Sequence, residues 1–286
     1  MNKRITLLAM AIYLLFGLTN AQVSITNSTP YTQNFDALPT SSTSTVNPNP
    51  ANWLRYGGNG ITMNVGSGTS STGGFYSAGT GTNTDRAMGL LLSASAKPLY
   101  VGVKFVNNTG AAIVGATLSY KCEQWRRGNT NAGLKDTLLV DYATGTDSVH
   151  LGTWINVPSL AGSSTNSTST TGSLDGNTVF TNVSGSITGM AIPNGATFWI
   201  RFSDFDLTPG SDDLLAIDDF SVSFTTGSIS ACTEPAASVT NVVLNQTGIN
   251  SVSGSFTGTT PASDGYLVLL DSTATVPTIT DATTYT

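Results

Sequence analysis

The chain reads as an all-β protein built on a jelly-roll-like antiparallel β-sandwich, and three features of its 286 residues predict this. Apolar residues recur at period 2 in one run after another, the spacing of a strand with one buried face. The runs are bounded by clusters of Gly, Ser, Thr and Asn, which supply turns. Helical periodicity is absent after the first 21 residues.

Residues 1–21 predict a signal peptide. Lys3 and Arg4 precede an apolar run from Ile5 to Leu18, and Thr19 and Ala21 hold the small-residue positions of a cleavage site. Gln22 follows where a bacterial lipid anchor would need a cysteine. No later apolar run approaches the roughly 18 residues of a membrane helix, so an exported product, secreted or at the cell surface, is expected. The net charge of −6 and the absence of any basic cluster beyond Arg126 and Arg127 argue against a nucleic-acid partner. Cys122 and Cys232 are too few for a disulfide scaffold, although export permits them to pair with each other.

In chain order, "YTQNFD" (31–36) is a short strand followed by a Pro/Ser/Thr/Asn-rich loop. Trp53–Tyr56 is a strand that Gly57, Gly58 and Gly60 break, and 66–81 reads as a loop anchored by Phe75 and Tyr76. "RAMGLLLS" from Arg86, "LYVGVKFV" from Leu99 and the alternating run 113–125 are strands. Residues 137–157 read as a hairpin around 143–147, and 162–176 as a long Ser/Thr loop. Short strands are expected around 178–183 and 186–192. The stretch 198–224, "FWIRFSDFDLTPGSDDLLAIDDFSVSF", reads as a closing hairpin around an aspartate-rich loop. This sets a sandwich over residues 22–226, a linker over 227–240, and a further part over 241–286. In that part three strands (242–244, 251–257, 265–270) have the spacing of the first half of a fibronectin type III sandwich. Seven strands complete such a sandwich, so a fragment of a longer protein is expected.

"QNFD", "TDRAMG" (84–89), "EQWR" (123–126), "FWIRFSD" (198–204) and "SDDLLAIDDFSV" (211–222) resemble an exported jelly-roll accessory module of large multidomain proteins of Bacteroidetes. "SDGYLVLL" (263–270) resembles the fibronectin III-like repeat that often follows it. The resemblance implies a non-catalytic region, found at times beside extracellular nucleases or hydrolases.

Two constellations carry chemistry. Six acids crowd 204–219, and Asp218 shares strand parity with Leu214, Ala216, Phe220, Val222 and Phe224, so it is expected to face the core. A buried carboxylate requires neutralisation, a hydrogen bond or a metal. One structural calcium is the candidate, using Asp218 with Asp36, Asp219 and the loop Asp212. The alternative is a hydrogen bond from Arg86 or Arg201. Trp125, with Glu123, Arg126 and Trp53, is the candidate patch for a sugar, since aromatic faces stack on pyranose rings. The alternative places Trp125 beneath the loop 66–81 and pairs Glu123 with Arg86. His150, the sole histidine, shows no motif of a catalytic triad. The function expected is non-catalytic binding or spacing, with extracellular polysaccharide or a cell-surface component as partner. The alternative is the accessory region of a hydrolase or nuclease whose catalytic domain lies beyond residue 286.

Overall fold

The computed structural model describes residues 22–41, 50–57, 63–204, 210–228, 239–249 and 251–258. The expected signal peptide, Cys232 and the strand expected at 265–270 lie outside these. The strands are β1 (Val23–Ile25), β2 (Tyr31–Gln33), β3 (Trp53–Gly57), β4 (Met63–Gly66), β5 (Gly74–Ala78), β6 (Ala87–Leu91), β7 (Leu99–Asn107), β8 (Ala112–Arg127) and β9 (Thr137–Thr144). There follow β10 (Ile155–Asn156), β11 (Gly162–Ser163), β12 (Gly172–Ser173), β13 (Phe180–Ile192), β14 (Thr197–Asp204), β15 (Leu214–Gly227), β16 (Thr240–Gly248) and β17 (Ser251–Thr257).

The first fifteen strands form a jelly-roll-like sandwich of two sheets. The front sheet runs β1-β7-β14-β9-β10, with β3 also on β7 and β11 on β9. The back sheet runs β12-β8-β15-β6-β5-β4, with β13 on β8 and β2 on β15. Pairing is antiparallel except for β1 on β7 and β4 on β5. Alternation places Val101, Val103 and Phe105 of β7 and Phe198, Ile200 and Phe202 of β14 inward, against Leu118 and Tyr120 of β8 and Phe220 and Val222 of β15. Trp53 sits among them at 1% exposure. Its ring meets Phe35 at 4.9 Å and Phe220 at 5.2 Å edge-on, and its indole N–H donates to the Tyr31 hydroxyl at 3.0 Å. Among the described residues of the second unit, β16 and β17 form an antiparallel hairpin, with Val242, Leu244 and Val252 exposed.

Several expectations change. The stretch 198–224 is not a hairpin: β14 pairs with β7 and β9 in the front sheet, whereas β15 pairs with β8, β6 and β2 in the back sheet. The loop expected at 66–81 contains β5, buried throughout, because Phe75 and Tyr76 are sandwiched on opposite faces of the back sheet. The two strands expected within 178–192 are one strand, β13. The hairpin expected at 137–157 returns only at β10, so 145–154 is left to cross the front sheet. Cys122 carries a free buried thiol whose pKa burial raises.

The most consequential difference is in β15. Its register on β8 runs from Asp218↔Lys121 to Ser221↔Ser119, so one extra residue is inserted there, with Asp219 at φ 47°. A bulge of this kind reverses which parity faces inward. Leu215 and Ile217 face the core before it, and Phe220, Val222 and Phe224 after it. Asp218 therefore shares a face with Leu214 and Ala216 on the outside of the back sheet, not with Phe220 in the core. At this end the outer face is itself covered, since Leu214 and Ala216 join Tyr76, Ala78, Ala87, Leu91 and Trp125 in a second buried cluster.

Replacing Trp53 by Ala should cost about 3–5 kcal/mol, the usual loss for a buried large aromatic. Urea unfolding of W53A would measure it. A loss under about 1 kcal/mol would show that Trp53 is not the hub of this core.

Candidate functional site

The four residues expected to form a sugar patch do not form one. Trp125 and Glu123 are 0% and 1% exposed, and the Trp125 indole N–H donates to Glu123 Oε2 at 2.8 Å. Gly176 lies so close to the indole that a Cβ there would stand 2.3 Å from Nε1. Arg126 donates to the carbonyls of Gly68 and Thr69 at 3.0 and 3.3 Å, which pins the loop after β4. Trp53 lies on the other sheet, inside the core. The expected parity of Trp125 is correct, but loops cover that face, so the ring packs with Tyr76 and Ala78 as the alternative reading held. Glu123 pairs with Trp125, not with Arg86.

The expected metal ligands divide into two places. Asp218 is 3% exposed, and its Oδ1 has no hydrogen-bond partner, neither Arg86 nor Arg201. The pairing Gln33↔Phe220 brings the chain of Asn34–Asp36 alongside Asp218 and Asp219. Asn34 and Asp219 line a groove of about 420 Å³ with Thr32, Gln33, Phe220 and Ser221. Asp36 accepts from the Asn34 amide at 2.6 Å and from the Arg86 main-chain N–H at 3.3 Å. Asp219 forms an ion pair with Lys121 at 2.7 Å. Burial, reinforced by Glu123 and Asp219, pushes Asp218 up to about 7, although the Asp219 N–H opposes this. Burial also pushes Glu123 up to about 7, against the hydrogen bond from Trp125. Asp212 is elsewhere, with Asp136, Asp204 and Asp213 near the start of β15. Among the described residues no group of three or more His, Cys, Asp or Glu side chains is arranged as a metal cluster.

The outer face of the front sheet holds a constellation that the sequence reading missed. Tyr56 of β3 is paired with Tyr100 of β7, and their rings stack at 6.5 Å. Tyr56 is 42% exposed, and its ring lies parallel to His150 at 3.3 Å. The Arg201 guanidinium is held between Tyr100 at 4.2 Å and Trp154 at 3.7 Å. It also donates to Asp141 at 3.0 Å and to the Val149 carbonyl at 3.0 Å, and the Asn156 amide completes Asp141 at 2.8 Å. Gly102 makes the arrangement possible, because a Cβ there would stand 2.9 Å from that of Arg201. The crossing segment 145–154 is tied down by Lys104–Asp147 at 2.6 Å and by Trp199, whose indole donates to the Thr146 carbonyl at 3.0 Å. Ser148 Oγ stands 2.7 Å from His150 Nδ1 and accepts from the N–H groups of His150 and Leu151 at 3.3 and 3.4 Å, so it closes the turn of this segment. The result is a half-exposed row of rings with fixed polar groups beside it, the composition that carbohydrate faces require.

No protein-family model and no curated protein matches the chain. Among solved structures, it is similar to the K3 cleaved adhesin domain of Lys-gingipain from Porphyromonas gingivalis w83, at 16% identity over 61% of this chain and 93% of that one, with a TM-score of 0.36. It is also similar to a CBM4 module, at 16% identity over 61% and 95%, with a TM-score of 0.31. A third is the CBM22-1–GH10 part of Clostridium thermocellum xylanase 10B complexed with xylohexaose, at 13% identity over 69% of this chain and 28% of that one, with a TM-score of 0.33. The sandwich itself is established by its own strand pairing.

The back-sheet acids make a prediction about pH. Glu123 and Asp218 titrate higher when folded than when unfolded, so the stability they allow is complete below about pH 4 and declines as pH rises toward about 7. In chelator, the melting temperature of E123Q relative to the parent should therefore increase across that window. A difference independent of pH would show that Glu123 ionises without cost.

Proposed function

We propose that this chain is an exported, non-catalytic binding module whose ligand is an extracellular polysaccharide or cell-surface glycan, held on the outer face of the front sheet. The observation that carries this is the row Tyr56, Tyr100 and Trp154 around Arg201. Rings held at fixed positions suit the apolar faces of successive sugars, and the exposed Asn156, whose amide is bound to Asp141, offers its carbonyl oxygen at their edge. Lys104 and Arg201 are each paired with a carboxylate, so the face presents little net charge and suits a neutral glycan. In this reading the second unit is a fibronectin III-like spacer of a larger protein of the Bacteroidetes type.

Calcium is the proposed structural cofactor beside Asp218. The support is the orphaned Oδ1 of Asp218, with Asp36, Asp219 and Glu123 on the same side of the back sheet. Asp212 is not part of this site.

Calorimetric titration of the full chain with soluble xylan, β-glucan and galactan tests the binding face. One of these should bind, and Y56A and W154A should each weaken it about tenfold or more, which corresponds to about 1.4 kcal/mol. Equal binding by both variants would refute the assignment. For the ion, the melting temperature should be higher in calcium than in chelator, with D218N reducing the difference. An undiminished difference in D218N would remove Asp218 from any calcium site.

A further inference from the structure

A second group of acids lies where the front sheet ends. Asp204 is the last residue of β14, and it takes the inward parity of Phe198, Ile200 and Phe202. It is 8% exposed. Its Oδ2 accepts from the main-chain N–H of Leu92 at 3.0 Å, while its Oδ1 is buried with no hydrogen-bond partner. Among the described residues Asp136, Asp212 and Asp213 act on it, all negative. An orphaned carboxylate oxygen in such company is costly unless something positive meets it.

Among the described residues, the buried cation beside Asp213 is already engaged. Arg127 forms an ion pair with Asp213 at 3.1 Å, both fully buried. Asp213 also receives the Gly128 N–H at 2.7 Å and the Gln124 amide at 2.8 Å, along with the Ser164 hydroxyl. Asp136 accepts one N–H on each oxygen, from Thr137 and Asp213 at 2.8 Å, and keeps a lone pair on each for another partner. Main-chain oxygen is close by, since the carbonyls of Ser211 and Asp212 face Gly128.

We propose that Asp204 Oδ1 and the Asp136 carboxylate bind a calcium ion at this end of the sandwich, with main-chain carbonyls and water supplying the remaining oxygens. Calcium accepts six to eight oxygens of mixed origin, so two carboxylates suffice where carbonyls and solvent complete the shell. The ion would join the end of β14 to the entry of β9 and so fix the mouth of the core, a place distinct from the one beside Asp218.

Calcium titration of the full chain by calorimetry tests this with D204N, D136N and D218N. The expected result is that D204N and D136N each lose one calcium per chain, while D218N retains that ion. A D204N chain that is folded by circular dichroism and binds as many ions as the parent would overturn the proposal, as would D218N binding none. Where D204N does not fold, terbium soaked into crystals of the parent decides. An anomalous peak at ligand distance from Asp204 Oδ1 supports the site, and no peak there overturns it. Because D218N reports on the other location, the two calcium readings fail separately.

Discussion

The pairing of β15 with β8 organises the back sheet, and of its three register shifts the one between Asp218 and Ser221 inserts an extra residue in β15. Before the break, β15 turns Leu215 and Ile217 to the core, and after it Phe220, Val222 and Phe224. The strand can serve the core along its whole length only by leaving Asp218 on the opposite face. Beside Asp218 that face is covered as well, by the cluster around Tyr76 and Trp125. Around that cluster the back sheet is buried on both sides, and the acids there show it: Asp218 and Glu123 are both pushed up to about 7 by burial, while farther along Thr117, Asp219 and Thr225 stay exposed.

The outer face of the front sheet carries the stacked rings, with Tyr56 42% exposed. There the alternation that sends Phe198, Ile200 and Phe202 inward sends Trp199, Arg201 and Ser203 outward. Gly102 lets the Arg201 stem lie flat, so its guanidinium is stacked between Tyr100 and Trp154. Each such contact contributes about 0.5–2 kcal/mol according to its desolvation. The crossing segment 145–154 supplies Trp154 and His150, and the same ties that hold it down also orient the rings. The ties that hold the scaffold and those that orient the rings are in this sense one set of contacts.

Most strands were legible because period 2 marks a half-buried strand wherever it occurs, as in β7, β8 and β14. The bulge was not legible, because its left-handed residue is Asp219 rather than a glycine, and nothing in "AIDDF" marks the change of parity. Parity also placed Trp125 opposite Tyr120 but could not say that loops from β4 and β12 cover it. Tyr56 and Trp154 come together only through the pairing of β3 with β7 and the path of 145–154, neither of which is local. Asp204 could have been found: it ends the inward series Phe198, Ile200, Phe202, by the same reasoning that singled out Asp218.

If the front face, not the Trp125 face, receives a glycan as proposed, the tryptophans report it. The four tryptophans give four indole N–H signals, and Trp53, Trp125 and Trp199 are all buried while Trp154 is half-buried on the proposed face. Proton–nitrogen spectra of the full chain titrated with neutral oligosaccharides such as xylohexaose, cellohexaose and galactotriose would separate them. The Trp154 signal should shift with the binding ligand and the Trp125 signal should not. A ligand that shifts Trp125 and leaves Trp154 in place, or no shift with any of these sugars, would contradict the proposal.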